Sequence, residues 1–375
     1  METPGSAGKW SAEASMAELD ALAYTAGANV VGKLVQKMKA PSNIQYLGKG
    51  KLEELQKLKE KLNYDTVIID DELSPQQQQN LEDFLQTKVI DRIALILDIF
   101  AKRARTHEGK LQVELAQYEY NLPRLTGKWR HLERLGAGIG TRGPGESQLE
   151  TDKRLMRQRI TRLKKQIEEI RQQRDLYRQK RKRSGIPIVA LVGYTNSGKS
   201  TLLNALSKAK VLAKNELFST LDPTTRRLVV NDNRAILLTD TVGFIRKLPP
   251  TLIAAFRATL EELSEADLLI HVVDLTSHNA AEQCSTVESI LKDLDLTEKP
   301  RITAMNKIDL LLPVDQKWEE TQALEYIAGQ TDAPAPNTVL VSAVKRWGFS
   351  KLLALISQMI PKSVAVEFST SETAE

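Results

Sequence analysis

The sequence predicts an α/β protein in three parts: a small N-terminal α/β domain, a basic antiparallel helical hairpin of coiled-coil type, and a larger domain on a doubly wound, mostly parallel sheet. Three observations carry this. Six short apolar runs, at 186–192, 227–230, 235–239, 268–273, 301–306 and 338–342, alternate with amphipathic stretches, as strands covered on both faces do. Ahead of them Met156, Ile160, Leu163, Ile167, Ile170 and Tyr177 recur at steps of 4, 3, 4, 3 and 7, a heptad seam with Arg174 at the skipped position. Charge is lopsided too: Glu150 to Arg183 holds 14 Lys or Arg against 5 Asp or Glu, which is +9 within a chain of net charge +5.

A chain of 375 residues exceeds one ordinary core. The expected division is a flexible tail at 1–17, an N-terminal α/β domain at 18–105, the hairpin at 106–185, the sheet domain at 186–361 and a C-terminal tail at 362–375. Cys284 has no second cysteine to pair with, which favours a reducing compartment. No apolar run is long enough to span a bilayer, and neither end carries a signal-peptide core or a prenylation cysteine. A cytoplasmic monomer is expected, with room for a peripheral membrane-associated fraction.

The N-terminal elements follow in order. A strand is expected at 30–35, a helix at 50–62, a strand at 66–69, a helix at 76–85 and a strand at 88–90. Ser74 and Pro75 read as the N-cap and first residue of the second helix. From Ile93 the pattern is helical. Leu111, Leu115, Tyr118 and Leu122 then offer a seam for the long basic arm. Between the arms, residues 134–148 carry Gly136, Gly138, Gly140, Gly143 and Gly145 with Arg134 and Arg142. Gly138 to Gly143 formally matches a dinucleotide fingerprint, but such a fingerprint must follow a buried strand, and helical sequence precedes this one. The residues make a backbone-exposing cationic loop instead. Gly48-Lys49-Gly50-Lys51 opens a helix without phosphate-loop spacing and reads as a turn. A basic rod on an otherwise mildly acidic chain points to a polyanion, nucleic acid first, against the alternative of a solvated coiled coil.

In the sheet domain the first strand runs straight into Gly193, Tyr194, Thr195, Asn196, Ser197, Gly198, Lys199 and Ser200, and Thr201 continues as a helix. Strand, glycine loop and helix in that order form a phosphate cradle. The loop amides face the phosphates, Lys199 reaches the outer ones, and Ser200 ligates Mg²⁺. The strand at 235–239 ends in Asp240, Thr241, Val242 and Gly243, where a carboxylate can hold the Mg²⁺ shell and a glycine amide can meet the outermost phosphate. Base choice is written at Asn306, Lys307, Ile308 and Asp309: Asp309 can accept from guanine N1 and N2, Asn306 braces the loop, and Lys307 lies along the base. Ser342, Ala343 and Val344 can offer amides to guanine O6. The pattern is that of a P-loop GTPase domain binding GTP and Mg²⁺, with Lys199, Asp240 and Gly243 as the groups nearest the chemistry.

The first switch falls in Phe218, Ser219, Thr220, Leu221 and Asp222 and runs on to Arg226. A threonine here completes the Mg²⁺ shell, and spacing alone leaves Thr220, Thr224 and Thr225 as candidates. After Gly243 stands Phe244, where many GTPases place a glutamine that orients water. Phe244 cannot do that, so hydrolysis is expected to be slow without a group from a partner. Leu252, Phe256, Leu260 and Leu263 mark an amphipathic helix for the second switch. His271 reads as a satisfied core residue.

These residues resemble the HflX GTPases, a translation-factor-related class of P-loop proteins. The likeness runs from about Glu18 to Pro361. It rests on Thr25 to Ala28, Leu47 to Lys51, Asp91-Arg92, Leu111 to Gln117, Leu122 to Leu125, Gly140 to Glu146, and Phe218 to Arg226, the stretch from Gly140 to Glu146 being the most specific. The resemblance implies a ribosome-associated GTPase whose N-terminal domain and hairpin sit on the large subunit, including through Arg142, Arg157, Arg159, Arg162 and Lys164, with the glycine-rich tip approaching the peptidyl-transferase region. It implies a role in splitting or rescuing stalled ribosomes under heat stress, and Thr220 as the switch Mg²⁺ ligand. Family members carry a further strand before the helix of Leu19 and Leu22, and Met1 to Met16 supplies none. The competing expectation is a GTP-dependent RNA-remodelling or signalling switch whose hairpin recruits another partner.

Overall fold

The computed structural model describes residues 10–37, 42, 44–125, 144–183, 185–207, 217–230, 234–248, 262–330 and 335–360. The first helix, α1 (Ala12–Thr25), starts earlier than the sequence suggested. The Ser11 hydroxyl accepts the Ala14 N–H at 3.1 Å, and Ser15, Leu19, Leu22 and Ala23 bury one face. The cap fixes the start, so residues 12–17, expected in the tail, are helix.

Strands β1 (Thr66–Ile69) and β2 (Lys88–Asp91) pair in parallel. Helices α2 (Lys49–Leu62), α3 (Pro75–Leu85) and α4 (Arg92–Arg103) surround them. Ser74 and Gln77 cap α3 reciprocally, with Pro75 at its first position, as the sequence indicates. The strand expected at 30–35 does not form: residues 28–36 carry no regular structure, and Val31 is 48% exposed. A strand needs a partner edge. The space beside β1 is instead a cavity of about 860 Å³, lined by Val30, Val31, Leu34 and Leu58 with Val67 and Ile68. The first sheet therefore has two strands among the described residues.

Helices α5 (His107–Asn121) and α6 (Pro144–Arg183) make the hairpin. Glu108 pairs with Arg174 and Glu119 with Lys164, at 2.7 and 2.8 Å, so the arms run antiparallel. Leu111, Leu115 and Leu163 are buried between them, and Tyr118, Ile160, Ile167 and Ile170 flank the seam. With 40 residues against 15, α6 extends well past α5. Arg142 and residues 126–143 of the tip lie outside the described residues, as do most of the second-switch helix, including Leu252, Phe256 and Leu260, and the tail at 362–375.

The larger sheet has six strands: β3 (Ile188–Val192), β4 (Thr224–Val229), β5 (Ala235–Asp240), β6 (Leu268–Asp274), β7 (Arg301–Asn306) and β8 (Thr338–Leu340). Their order is β4-β5-β3-β6-β7-β8, and all pairs are parallel except β4 on β5. Helices α7 (Lys199–Ser207), α8 (Ala280–Asp293), α9 (Glu320–Gln330) and α10 (Phe349–Met359) accompany the strands. Strand order turns back at β3, which places a crevice at its carboxyl end. Above that end one core is shared with the N-terminal domain: Leu22, Ile96, Ile99 and Phe100 pack with Val192, Phe218 and Phe244. The Phe100 and Phe218 rings meet edge to face, 4.7 Å between centroids. No helix among the described residues is long and apolar enough to cross a membrane.

Candidate active site

The loop from Gly193 to Gly198 links β3 to α7, the Ser197 N–H donating back to the Tyr194 carbonyl at 3.3 Å. Gly198 has φ +98°, and a Cβ there would strike the Asn306 amide nitrogen, so only glycine lets the loop close on that brace. Asn306 Nδ2 donates to the Ser197 carbonyl at 2.9 Å, and its Oδ1 accepts the Ala343 N–H at 3.0 Å. One asparagine thus ties the phosphate loop to the loops after β7 and β8.

At the floor, Lys199 Nζ donates to the carbonyls of Gly193 and Tyr194 at 3.1 and 2.8 Å. Burial pulls its ammonium down to about 8, against the opposing pull of the Asp240 carboxylate. Asp240 is pushed above the usual carboxylate range by burial, with Lys199 and the Ser200 and Thr220 hydroxyls working the other way. Ser200 Oγ and Thr220 Oγ1 both donate to Asp240 Oδ2, at 2.6 and 2.8 Å, and stand 2.7 Å from each other. Asp240 Oδ1 is buried with no hydrogen-bond partner among the described residues. Hard oxygens gathered on one corner, one of them orphaned, fit a hard divalent cation such as Mg²⁺.

Among the three threonines the sequence left open, Thr220 alone meets Asp240 in this way. β4 begins at Thr224, earlier than expected, and takes Thr224 and Thr225 into register with Asp240 and Thr239. The Thr225 hydroxyl is then spent on that of Thr239, at 2.9 Å. Phe218, Ser219 and Thr220 line the phosphate cleft with Thr195, Asn196, Thr201, Thr241 and Gly243. Leu221 and Asp222, expected at the nucleotide, are corrected. Leu221 is buried in the shared core, and the Asp222 carboxylate accepts from the start of α5.

The segment after β5 lies along the phosphate loop. Phe244 N–H donates to the Gly193 carbonyl at 3.1 Å, and its own carbonyl accepts the Thr195 N–H at 2.7 Å. The Phe244 ring is 1% exposed, beside buried Val242 and Ile245. Thr241 donates to the Leu191 carbonyl at 2.6 Å, pinning the loop to β3.

At the far end, Asp309 accepts the Ser342 hydroxyl at 2.6 Å, which in turn accepts the Lys345 N–H at 3.0 Å. Ile308 is buried and Val344 is 71% exposed. Lys307 pairs with Asp274 at 2.7 Å. Sequence reasoning missed Asp274, although it ends β6 at the same carboxyl edge as the recognised motifs. It also missed Glu18, which accepts the Tyr194 hydroxyl and pairs with Arg92. Nothing local to Glu18 signals a partner so distant in the chain.

Comparison with known proteins decides the family. The GTPase HflX of Caldanaerobacter subterraneus subsp. tengcongensis is 56% identical over 299 residues, covering 80% of this chain and 70% of that protein. The chain belongs to the HflX GTPase family. The GTPase HflX of Escherichia coli is 43% identical over 348 residues, 93% of this chain and 79% of its own. Three family models cover the HflX plan in order: GTP-binding GTPase N-terminal at 13–101, GTP-binding GTPase Middle Region at 103–181 and 50S ribosome-binding GTPase at 188–307. A crystal structure of a GTP-binding protein from Sulfolobus solfataricus in complex with GDP aligns at a TM-score of 0.46 and 28% identity, over 92% of this chain and 94% of the other. As an HflX GTPase the chain is a GTP-binding, GTP-hydrolysing enzyme.

Proposed function

We propose that the chain is a Mg²⁺-dependent GTP switch on the large ribosomal subunit that splits or rescues stalled ribosomes under stress. The observation that carries the nucleotide half is the run of contacts from the Ser200, Thr220 and Asp240 corner, through Lys199 and Asn306 on the loop carbonyls, to Ser342 and Asp309. GTP lies along this run with its phosphates on residues 193–201 and its base against Asn306 to Asp309 and Ser342 to Val344. Ser200 and Thr220, with Asp240 behind them, would hold Mg²⁺, which would supply charge neutralisation at the outer phosphates. Asp309 selects guanine because its two oxygens accept from N1 and N2, which adenine cannot satisfy.

Phe244 is buried and its backbone is committed to the phosphate loop, so it orients no water. Hydrolysis is slow alone and depends on a group supplied or ordered by the partner. For that partner, the reading is supported by the matched 50S ribosome-binding GTPase model and by the basic arm. Arg157 and Arg162 are exposed on α6. Arg159 and Lys164 pair with Glu114 and Glu119 but keep 42% and 59% of their side-chain surface, enough to turn to phosphate. Arg142, which lies outside the described residues, is included in the proposal from the sequence alone. The protein acts as a cytoplasmic monomer. The test is co-sedimentation with purified large subunits in the GTP-analogue and GDP states at several salt concentrations. Binding in the analogue state that weakens steeply with salt supports the reading, and no binding even at low salt overturns it.

A further inference from the structure

We propose that Asp222 is a positioning residue for GTP hydrolysis: it ties the first switch to the base of the hairpin, so that Thr220 holds its place at the Mg²⁺ corner only while α5 sits on Asp222. The inference rests on the reading of Thr220 as a Mg²⁺ contact. The Asp222 carboxylate accepts the N–H groups of Arg105 and Thr106 at 2.8 and 3.0 Å and the Thr106 hydroxyl at 2.5 Å. Thr106 is itself the N-cap of α5, accepting the Gly109 N–H at 2.9 Å. The carboxylate thus lies against the partial positive charge of a helix start that belongs to another domain.

Gly109 gives a second, separate sign that the two segments are fitted to each other. A Cβ at this position would collide with Asp222 Oδ1 and stand 3.0 Å from Thr106 Oγ1. Glycine is a poor helix former, and the first turn of α5 carries one where the switch carboxylate needs the room. On the other side of Asp222 the chain has little slack. Leu221 is buried, Thr220 is bonded to Asp240 at 2.8 Å, and β4 begins at Thr224. A shift of the hairpin base is therefore passed to the Mg²⁺ corner, and by linkage the occupant of that corner biases the hairpin.

The test uses the full chain, with kcat, KM for GTP and the Mg²⁺ half-saturation of hydrolysis measured for Gly109→Ala, Asp222→Ala, Asp222→Asn, the double variant G109A/D222A, and Thr220→Ala. Gly109→Ala lies in the hairpin, yet it is expected to lower kcat about tenfold and raise the Mg²⁺ half-saturation, with KM for GTP within about twofold. In the Asp222→Ala background Gly109→Ala is expected to add nothing, because the group it displaces is gone. Asp222→Asn keeps an acceptor and is expected to fall between wild type and Asp222→Ala. If Gly109→Ala does not fold, as judged by its melting transition, Thr106→Val removes the shortest bond without adding bulk and is held to the same result. A Gly109→Ala or Thr106→Val enzyme with wild-type kcat and Mg²⁺ dependence, beside an impaired Thr220→Ala, overturns the role of Asp222 alone. An unimpaired Thr220→Ala overturns the Mg²⁺ reading beneath it, and the proposal with it.

Discussion

Glu18 of α1 accepts the hydroxyl of Tyr194 in the phosphate loop, across 176 positions of sequence, in a site closed to solvent. Tyr194 in turn accepts the Arg246 N–H at 2.9 Å, and Arg92 bridges Glu18 to Asp70. The N-terminal domain is thereby wired into the loop that cradles phosphate and into the segment that follows Gly243.

Glu18→Ala should be the severest single change in this network, because it leaves the fully buried Arg92 short of a partner. A loss of about 3–5 kcal/mol in unfolding free energy is expected, read from denaturant midpoints at constant slope. Tyr194→Phe removes one hydroxyl and should cost about 1–2 kcal/mol. Equal losses for the two would mean that the Glu18–Arg92 pair is not what holds the contact.

His271 sits in β6 at 4% exposure, where burial holds its imidazole down to about 4 from its ordinary 6.5. The folded chain keeps it neutral while the unfolded chain protonates it below 6.5. Its contribution is complete above pH 6.5 and is lost as pH falls toward 4, about 3 kcal/mol in all. The unfolding free energy of the wild type minus that of His271→Leu, compared at intervals between pH 7 and 4, should fall as the pH drops. A constant difference would show that His271 is not held neutral.

The motifs at Gly193 to Ser200, Asp240 to Gly243, Asn306 to Asp309 and Ser342 to Val344 were legible because each is a contiguous run at a strand's carboxyl end, where the local pattern alone fixes its place. The heptad seam was legible for a similar reason: Leu163 and Leu115 meet because helical period brings their faces around. What local pattern could not supply was the partner. Residues 30–35 have the composition of a strand but face a cavity instead of an edge. Asp222 looked like part of a nucleotide motif, yet its carboxylate goes to α5. Spacing alone left Thr224 and Thr225 beside Thr220; the resemblance favoured Thr220, and the start of β4 takes the other two into a strand.

Asp309→Asn exchanges one acceptor oxygen for a donor and should weaken GTP binding while improving that of xanthosine triphosphate, whose C2 carbonyl accepts where guanine donates. Competition binding with labelled nucleotides reads both. Unchanged preference for GTP would remove Asp309 from the base site.

Leu163 is fully buried between the arms of the hairpin. Leu163→Ala should cost about 2–5 kcal/mol of local stability and raise amide exchange along α5 and α6, while KM for GTP stays near wild type. A hairpin that keeps wild-type exchange protection would show that this seam is not what joins the arms.

The most direct measurement is single-turnover GTP hydrolysis with and without purified large ribosomal subunits, for the wild type and for a variant with Arg157 and Arg162 both changed to Ala. Slow hydrolysis by the wild type alone is expected, with strong stimulation by subunits that fades as salt rises. The variant should hydrolyse at the same rate alone and be stimulated less. Fast hydrolysis without subunits, or the same rate with and without them at low salt, would contradict the account of a GTPase whose missing catalytic group comes from its partner.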